Sequence, residues 1–152
     1  MLRMSKLTDY GIVLLTHMAQ DGAPPVRTAQ ELAHLSRVPL PTASKILKEL
    51  HRAGILDSHR GRRGGYGLAR SAEQISVAAI VEALEGPVAV TECSEAAGSC
   101  WLEPDCVAKG HWGPISRAIQ GTLERLPLSA LGPRPVTAWR ASALAVLPEG
   151  AR

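Results

Sequence analysis

Phenylalanine is absent from this chain, and Trp and Tyr together bring the aromatic share to only 3%. A core without large rings must be built from Leu, Ile, Val and Ala, which favours helices over sheets. Long apolar runs are missing too. None reaches transmembrane length, and the stretch before Ile12 lacks the apolar centre of a signal peptide. A cytoplasmic protein with no membrane partner is expected. No nucleophile–base motif or phosphate-cradling glycine loop occurs, and His17, His34, His51, His59 and His111 are scattered, so no enzyme is expected either. Cysteine is scarce, and its three copies, Cys93, Cys100 and Cys106, fall in one short stretch. An odd number cannot all pair, and cytoplasmic thiols stay reduced. Metal or redox chemistry is therefore favoured over a disulfide framework.

What is present is unevenly spread. The 152 residues suffice for one globular core, and the formal charge is only +3. From Arg37 to Arg63, however, seven Lys and Arg face only Glu49 and Asp57. From Glu92 to His111 the sign reverses, with Glu92, Glu95, Glu103 and Asp105 against Lys109. One positive face and one acidic, thiol-bearing lobe have different partners.

Helical spacing of Leu7, Leu14, Leu15 and Met18 predicts a helix over 5–20. Thr28 and Glu31 form the capping-box pattern ahead of Leu32, Ala33 and Leu35. A third helix is expected from about Pro41 to Ala53, with Ile46, Leu47 and Leu50 facing inward and Gly54 ending it. Two strands, 55–58 and 66–69, flank a glycine- and arginine-rich hairpin tip. Ser76 should cap a fourth helix carrying Val77, Ile80, Val81 and Leu84. An irregular segment is expected over 88–111. A last helix is then expected from Pro114 to Leu126, with an apolar stripe of Ile115, Ile119, Leu123 and Leu126. Beyond it the chain turns Pro- and Ala-rich. The fold class is mainly α, a winged helix-turn-helix with a small β-hairpin wing, a cysteine-bearing loop and a long C-terminal helix. Its divisions are 1–87 for DNA binding, 88–131 for the cysteine-bearing loop and the long helix, and 132–152 for a tail.

A helix-turn-helix lays the start of its second helix on base edges in the major groove of double-stranded DNA. Thr42 and Ser44 occupy that end here. Lys45, Lys48 and Arg52 follow as phosphate or guanine contacts, and Arg60, Arg62 and Arg63 stand on the wing. Any one of these cations alone is more often simply solvated. The order of helix, turn, basic helix and arginine–glycine hairpin carries the reading. The spacing Cys93-x6-Cys100-x5-Cys106, with Gly98 and Pro104 shaping the loop, lets three sulfurs converge on one centre. An iron–sulfur cluster or a Cys₃His zinc site with His111 would both suit it. Small buried hydrophobes are the plainer alternative, but the surrounding residues are polar.

Several segments together resemble the IscR/NsrR-type (Rrf-two) winged-helix iron–sulfur regulators, especially the branch controlling the SUF iron–sulfur assembly operon. They are Lys6-Leu7-Thr8-Asp9-Tyr10-Gly11, Ala43 to Leu50, Ala53 to Leu56, Arg60 to Arg70, Ile80 to Pro87, the three cysteines and Trp112, and the resemblance spans about residues 1–131. It implies a homodimer paired through the C-terminal helix on a pseudo-palindromic operator. It also implies a 2Fe–2S or 4Fe–4S cluster held by Cys93, Cys100 and Cys106. In one branch the fourth ligand is a histidine three residues after the last cysteine, where this chain has Lys109. In the other it is the aspartate of the Thr-Asp-Tyr-Gly motif, given by the partner subunit. Asp9 is therefore the leading fourth ligand and His111 the second. The competing expectation is a winged-helix repressor with structural zinc or redox thiols and no cluster.

Overall fold

Ser5 starts the first helix by accepting the Thr8 amide N–H at 3.3 Å. Helix α1 (Lys6–Met18) then buries Leu14, Leu15 and Met18 along one side. The computed structural model describes residues 4–61, 64–95 and 98–132. Helix α2 (Ala29–Ser36) carries the complete capping box: Glu31 N–H donates to the Thr28 hydroxyl at 3.1 Å, and Thr28 N–H donates to the Glu31 carboxylate at 2.7 Å. The Thr28 N–H, and after it the Thr28 hydroxyl donating at 2.9 Å, hold the Glu31 carboxyl below its ordinary value. Arg37 leaves the helix in the left-handed conformation (φ 58), which reverses the chain into α3 (Leu40–Arg52). Pro41 fits in the first turn of α3, where no earlier carbonyl waits for its missing N–H.

Helix α3 sets Ala43, Ile46, Leu47 and Leu50 against α1 and α2. With Leu14, Leu15, Leu32, Ile55, Leu56, Ile75 and Ile80 they make an aliphatic core, as the absence of Phe demands. Fully burying each such side chain contributes roughly 1.5–3 kcal/mol. The wing is an antiparallel pair, β1 (Leu56–His59) and β2 (Gly65–Leu68), one residue displaced from the expected bounds. The displacement reflects pairing, which the chain pattern does not show: Ala69 N–H still donates to Ile55 at 3.0 Å outside the regular ladder. Arg27 adds a third rung, exchanging two backbone bonds with Tyr66 at 3.0 and 2.8 Å.

Ser76 caps α4 (Val77–Glu85) through Ala79 N–H, and α4 packs against α1. The segment after Gly86 is more ordered than expected. It contains a short helix, α5 (Glu92–Glu95), and a 3₁₀ turn at Glu103–Asp105. The last helix, α6 (Lys109–Glu124), starts five residues before Pro114. Pro114 sits one turn in, where it removes only the bond its N–H would give to Gly110, so the helix begins ahead of it. At 1.5 Å per residue α6 is about 24 Å long rather than about 20 Å. After α6 the chain returns to the core. Val77 N–H donates to Leu126, Leu128 N–H donates to Ile75, both at 2.8 Å, and Leu128 is fully buried. The expected tail lies, beyond Gly132, outside the described residues.

Candidate functional site

The buried side of α3 leaves Pro41, Lys45, Lys48 and Arg52 exposed along the opposite ridge. Thr42 and Ser44 are half-buried on its flanks. Arg52 donates to Glu49 at 2.8 Å, a pairing one helical turn apart that leaves part of its charge neutralised. Lys45 and Lys48 form no ion pair among the described residues. On the wing, Arg60 is exposed, whereas Arg62 and Arg63 lie outside the described residues. Close packing fixes the pitch of the hairpin. A Cβ on Gly65 would stand 2.4 Å from the Arg27 carbonyl oxygen, and one on Gly67 would stand 2.7 Å from that of Pro25. Only glycine lets β2 lie this close to residues 25–27.

Cys93 lies in α5, Cys100 in the following bend and Cys106 just after the 3₁₀ turn. All three are free and half-buried. The Thr91 hydroxyl is 3.3 Å from the Cys93 sulfur, Ser99 Oγ donates to the Glu92 carbonyl at 2.6 Å, and the buried Glu103 carboxylate accepts Gly98 N–H at 2.5 Å. Val90 N–H donates to the buried Ser116 hydroxyl at 3.1 Å, which ties the front of this segment to α6. Among the described residues, no three His, Cys, Asp or Glu are gathered closely enough to hold a metal. The donors fit an iron–sulfur group in kind, being unpaired thiols in a polar segment, but a single chain does not close the site.

Asp9 is exposed in the first turn of α1 and lines a concavity of about 580 Å³ with Met4, Ser5, Lys6 and Glu85. His111 is exposed in the first turn of α6. Among the described residues neither joins two of the cysteines in a group that could hold a metal. Sequence reasoning missed Glu85, which accepts Ser5 N–H at 2.8 Å and the buried Thr8 hydroxyl. This clamp joins the end of α4 to the start of α1, beside Asp9. The Thr8 bond, then the Ser5 bonds, lower the Glu85 carboxyl from its ordinary value against a partial desolvation. Because the folded value is the lower one, the stabilisation is complete above the ordinary carboxylate range of about pH 4–5 and fades as pH falls through the folded value. Denaturant midpoints measured for wild type and Glu85→Gln should therefore differ at neutral pH and converge on acidification.

The basic second helix of a helix-turn-helix, followed by an arginine–glycine hairpin, defines a winged-helix DNA-binding protein. Residues 4–133 match the Rrf2 family model, described as iron-dependent transcriptional regulators, and the chain belongs to that family. It is 30% identical over 136 residues to the HTH-type transcriptional repressor NsrR of Streptomyces coelicolor, covering 88% of this chain and 90% of that one. It is 28% identical over 130 residues to the protein rrf2 of Nitratidesulfovibrio vulgaris, covering 86% and 87%. Among solved structures, T. potens IscR superposes with a TM-score of 0.63 at 25% identity, over 98% of this chain and 94% of that one. CymR of B. subtilis, titled the global cysteine regulator, matches in fold with a TM-score of 0.66 at 23% identity, covering 86% and 96%. These relatives are regulators, not enzymes. Among the described residues no helix is long and apolar enough to cross a membrane.

Proposed function

We propose that this regulator binds a pseudo-palindromic operator as a homodimer and senses iron–sulfur status through Cys93, Cys100 and Cys106. The partner subunit's Asp9 is the fourth donor and His111 the alternative. The genes controlled are those of iron–sulfur assembly. Residues 1–87 serve DNA, and 88–131 serve sensing and pairing. The reading is carried by one observation: three free, half-buried thiols stand in an acidic stretch immediately before α6, the longest helix among the described residues.

That helix supports the dimer. Ile115 and Leu126 are 42% and 40% exposed on α6, and Ile119 and Leu123, half-buried, continue the same apolar stripe. Exposed aliphatic residues at this spacing suit a second copy of α6. A bound cluster supplies positive charge and an oxidisable, displaceable centre. Without a cation, up to three thiolates repel the carboxylates of Glu92, Glu95, Glu103 and Asp105. Cys106 lies three residues before α6, so loosening this segment changes where α6 begins and how two DNA-binding heads are spaced. Operator half-sites have fixed spacing, which converts that change into affinity.

A second reading has its own support. The thiols are not gathered in the single chain, and Cys93 already has the Thr91 hydroxyl beside it, as a thiol switch or a zinc site formed later would allow. The visible spectrum of anaerobically purified protein, with iron, sulfide and zinc assayed on the same sample, separates the two. Charge-transfer bands with iron and sulfide are expected; colourless protein with stoichiometric zinc would replace the cluster reading. For the DNA contacts, Arg62→Ala with Arg63→Ala should flatten the plot of log affinity against log salt by about two units. An unchanged slope would take the wing out of the interface.

A further inference from the structure

His51 occupies the last turn of the recognition helix, and its side chain is exposed. An exposed histidine at a helix end is ordinarily solvated, favoured there by the helix dipole. This one is held at two points. Its Nδ1 lies 2.8 Å from the Leu56 carbonyl oxygen, and its ring meets the Tyr66 ring edge-on, with centroids 6.4 Å apart and planes at 67°. A carbonyl can only accept, so Nδ1 carries the proton.

The Leu56 carbonyl is available for a structural reason. Ile55 and Ala69 form a hydrogen-bonded pair, so the next pair, Leu56 and Leu68, turns its polar groups away from its partner strand. The first strand of the wing thus presents a bare carbonyl toward α3, and His51 takes it. Tyr66, on the second strand, is itself bonded twice to Arg27. One side chain therefore braces the recognition helix against both strands of the hairpin, at its base.

The base is where a brace has leverage. Four residues per strand at about 3.3 Å each make an arm of about 13 Å, so a rocking of about 10° at the base displaces the tip by about 2 Å. Hydrogen bonds to phosphate tolerate only a few tenths of an ångström. We infer that His51 is a positioning residue for DNA binding: it fixes the pitch of the wing against α3, so that the arginine-bearing tip and the recognition helix meet one duplex together. The inference rests on the DNA-binding reading above.

The test uses full-length protein and a duplex selected by the wild type from a randomised pool. His51→Ala should weaken binding about fivefold to tenfold, the range set by losing one such hydrogen bond, with its circular dichroism spectrum unchanged. His51→Asn carries an amide N–H the same number of bonds from the backbone as Nδ1, and should recover most of the loss. Arg60→Ala should cost affinity in the wild type and much less in the His51→Ala background, because a wing already out of pitch has little contact left to lose. Additive losses in the double variant, full affinity for His51→Ala, or no recovery with asparagine would each overturn the inference while leaving DNA binding intact. A wild type that selects no duplex would overturn the DNA-binding reading and this inference with it.

Discussion

Alanine at Gly65 should cost about 2–4 kcal/mol of folding stability, among the largest effects of any single methyl group in this protein. The added Cβ would meet the Arg27 carbonyl oxygen at 2.4 Å, its carbonyl carbon at 2.6 Å and Thr28 N at 3.0 Å. All three are backbone atoms, so no side chain can swing aside. Gly65 also holds φ +157, where a side chain adds strain. Relief requires β2 to move off residues 25–27, breaking the paired bonds between Arg27 and Tyr66. The same shift takes the wing away from α3, so operator binding should fall with stability. Equilibrium denaturation checks the first effect and titration of the selected duplex checks the second. Wild-type stability would mean that the hairpin base is far more pliant than its packing implies.

Cys100→Ala should leave anaerobically purified protein with iron and sulfide at background, while its unfolding free energy changes by less than about 1 kcal/mol. Loss of one of three thiolates leaves too few donors to retain a cluster, because iron–sulfur centres are held by the thiolates themselves. The fold should tolerate the change for a separate reason. Cys100 is half-buried, in a bend outside the aliphatic core, and truncating its side chain opens no cavity among Leu14, Ile46, Leu50 and Ile80. A variant that retained its full iron and sulfide would show that the ligand set is wrong.

The parts legible in the sequence are those governed by neighbours a few residues apart. Thr28 with Glu31, Ser76 with Ala79, and the inward face of α3 follow from helical spacing and capping chemistry, which act within one turn. The ion pair between Glu49 and Arg52 obeys the same spacing and was open to the same reasoning. Two kinds of feature were hidden. Elements shorter than two turns, such as α5 and the turn at Glu103, carry no periodicity to detect, and the preference of proline for helix starts misplaced the beginning of α6. Contacts between distant residues leave no local trace at all. Glu85 meets Ser5 across 80 residues, and His51 meets a carbonyl freed only by strand register. The candidate thiols could be named from their clustering, but the means of closing them round a metal lies outside what a single chain presents.

The scarcity of aromatic residues has an optical consequence. The three tryptophans are Trp101, Trp112 and Trp139, and none lies N-terminal to the thiol-bearing segment. Trp101 is 85% exposed between Cys100 and Cys106, and Trp112 is 37% exposed on the first turn of α6. The DNA-binding part holds only Tyr10 and Tyr66. Excitation selective for indole is therefore blind to the core and the recognition helix, and its emission comes from Trp101 and Trp112, within and just after the thiol-bearing segment, and from Trp139. Native protein carries a fluorophore beside its thiols, so changes there can be followed in real time without attaching a label.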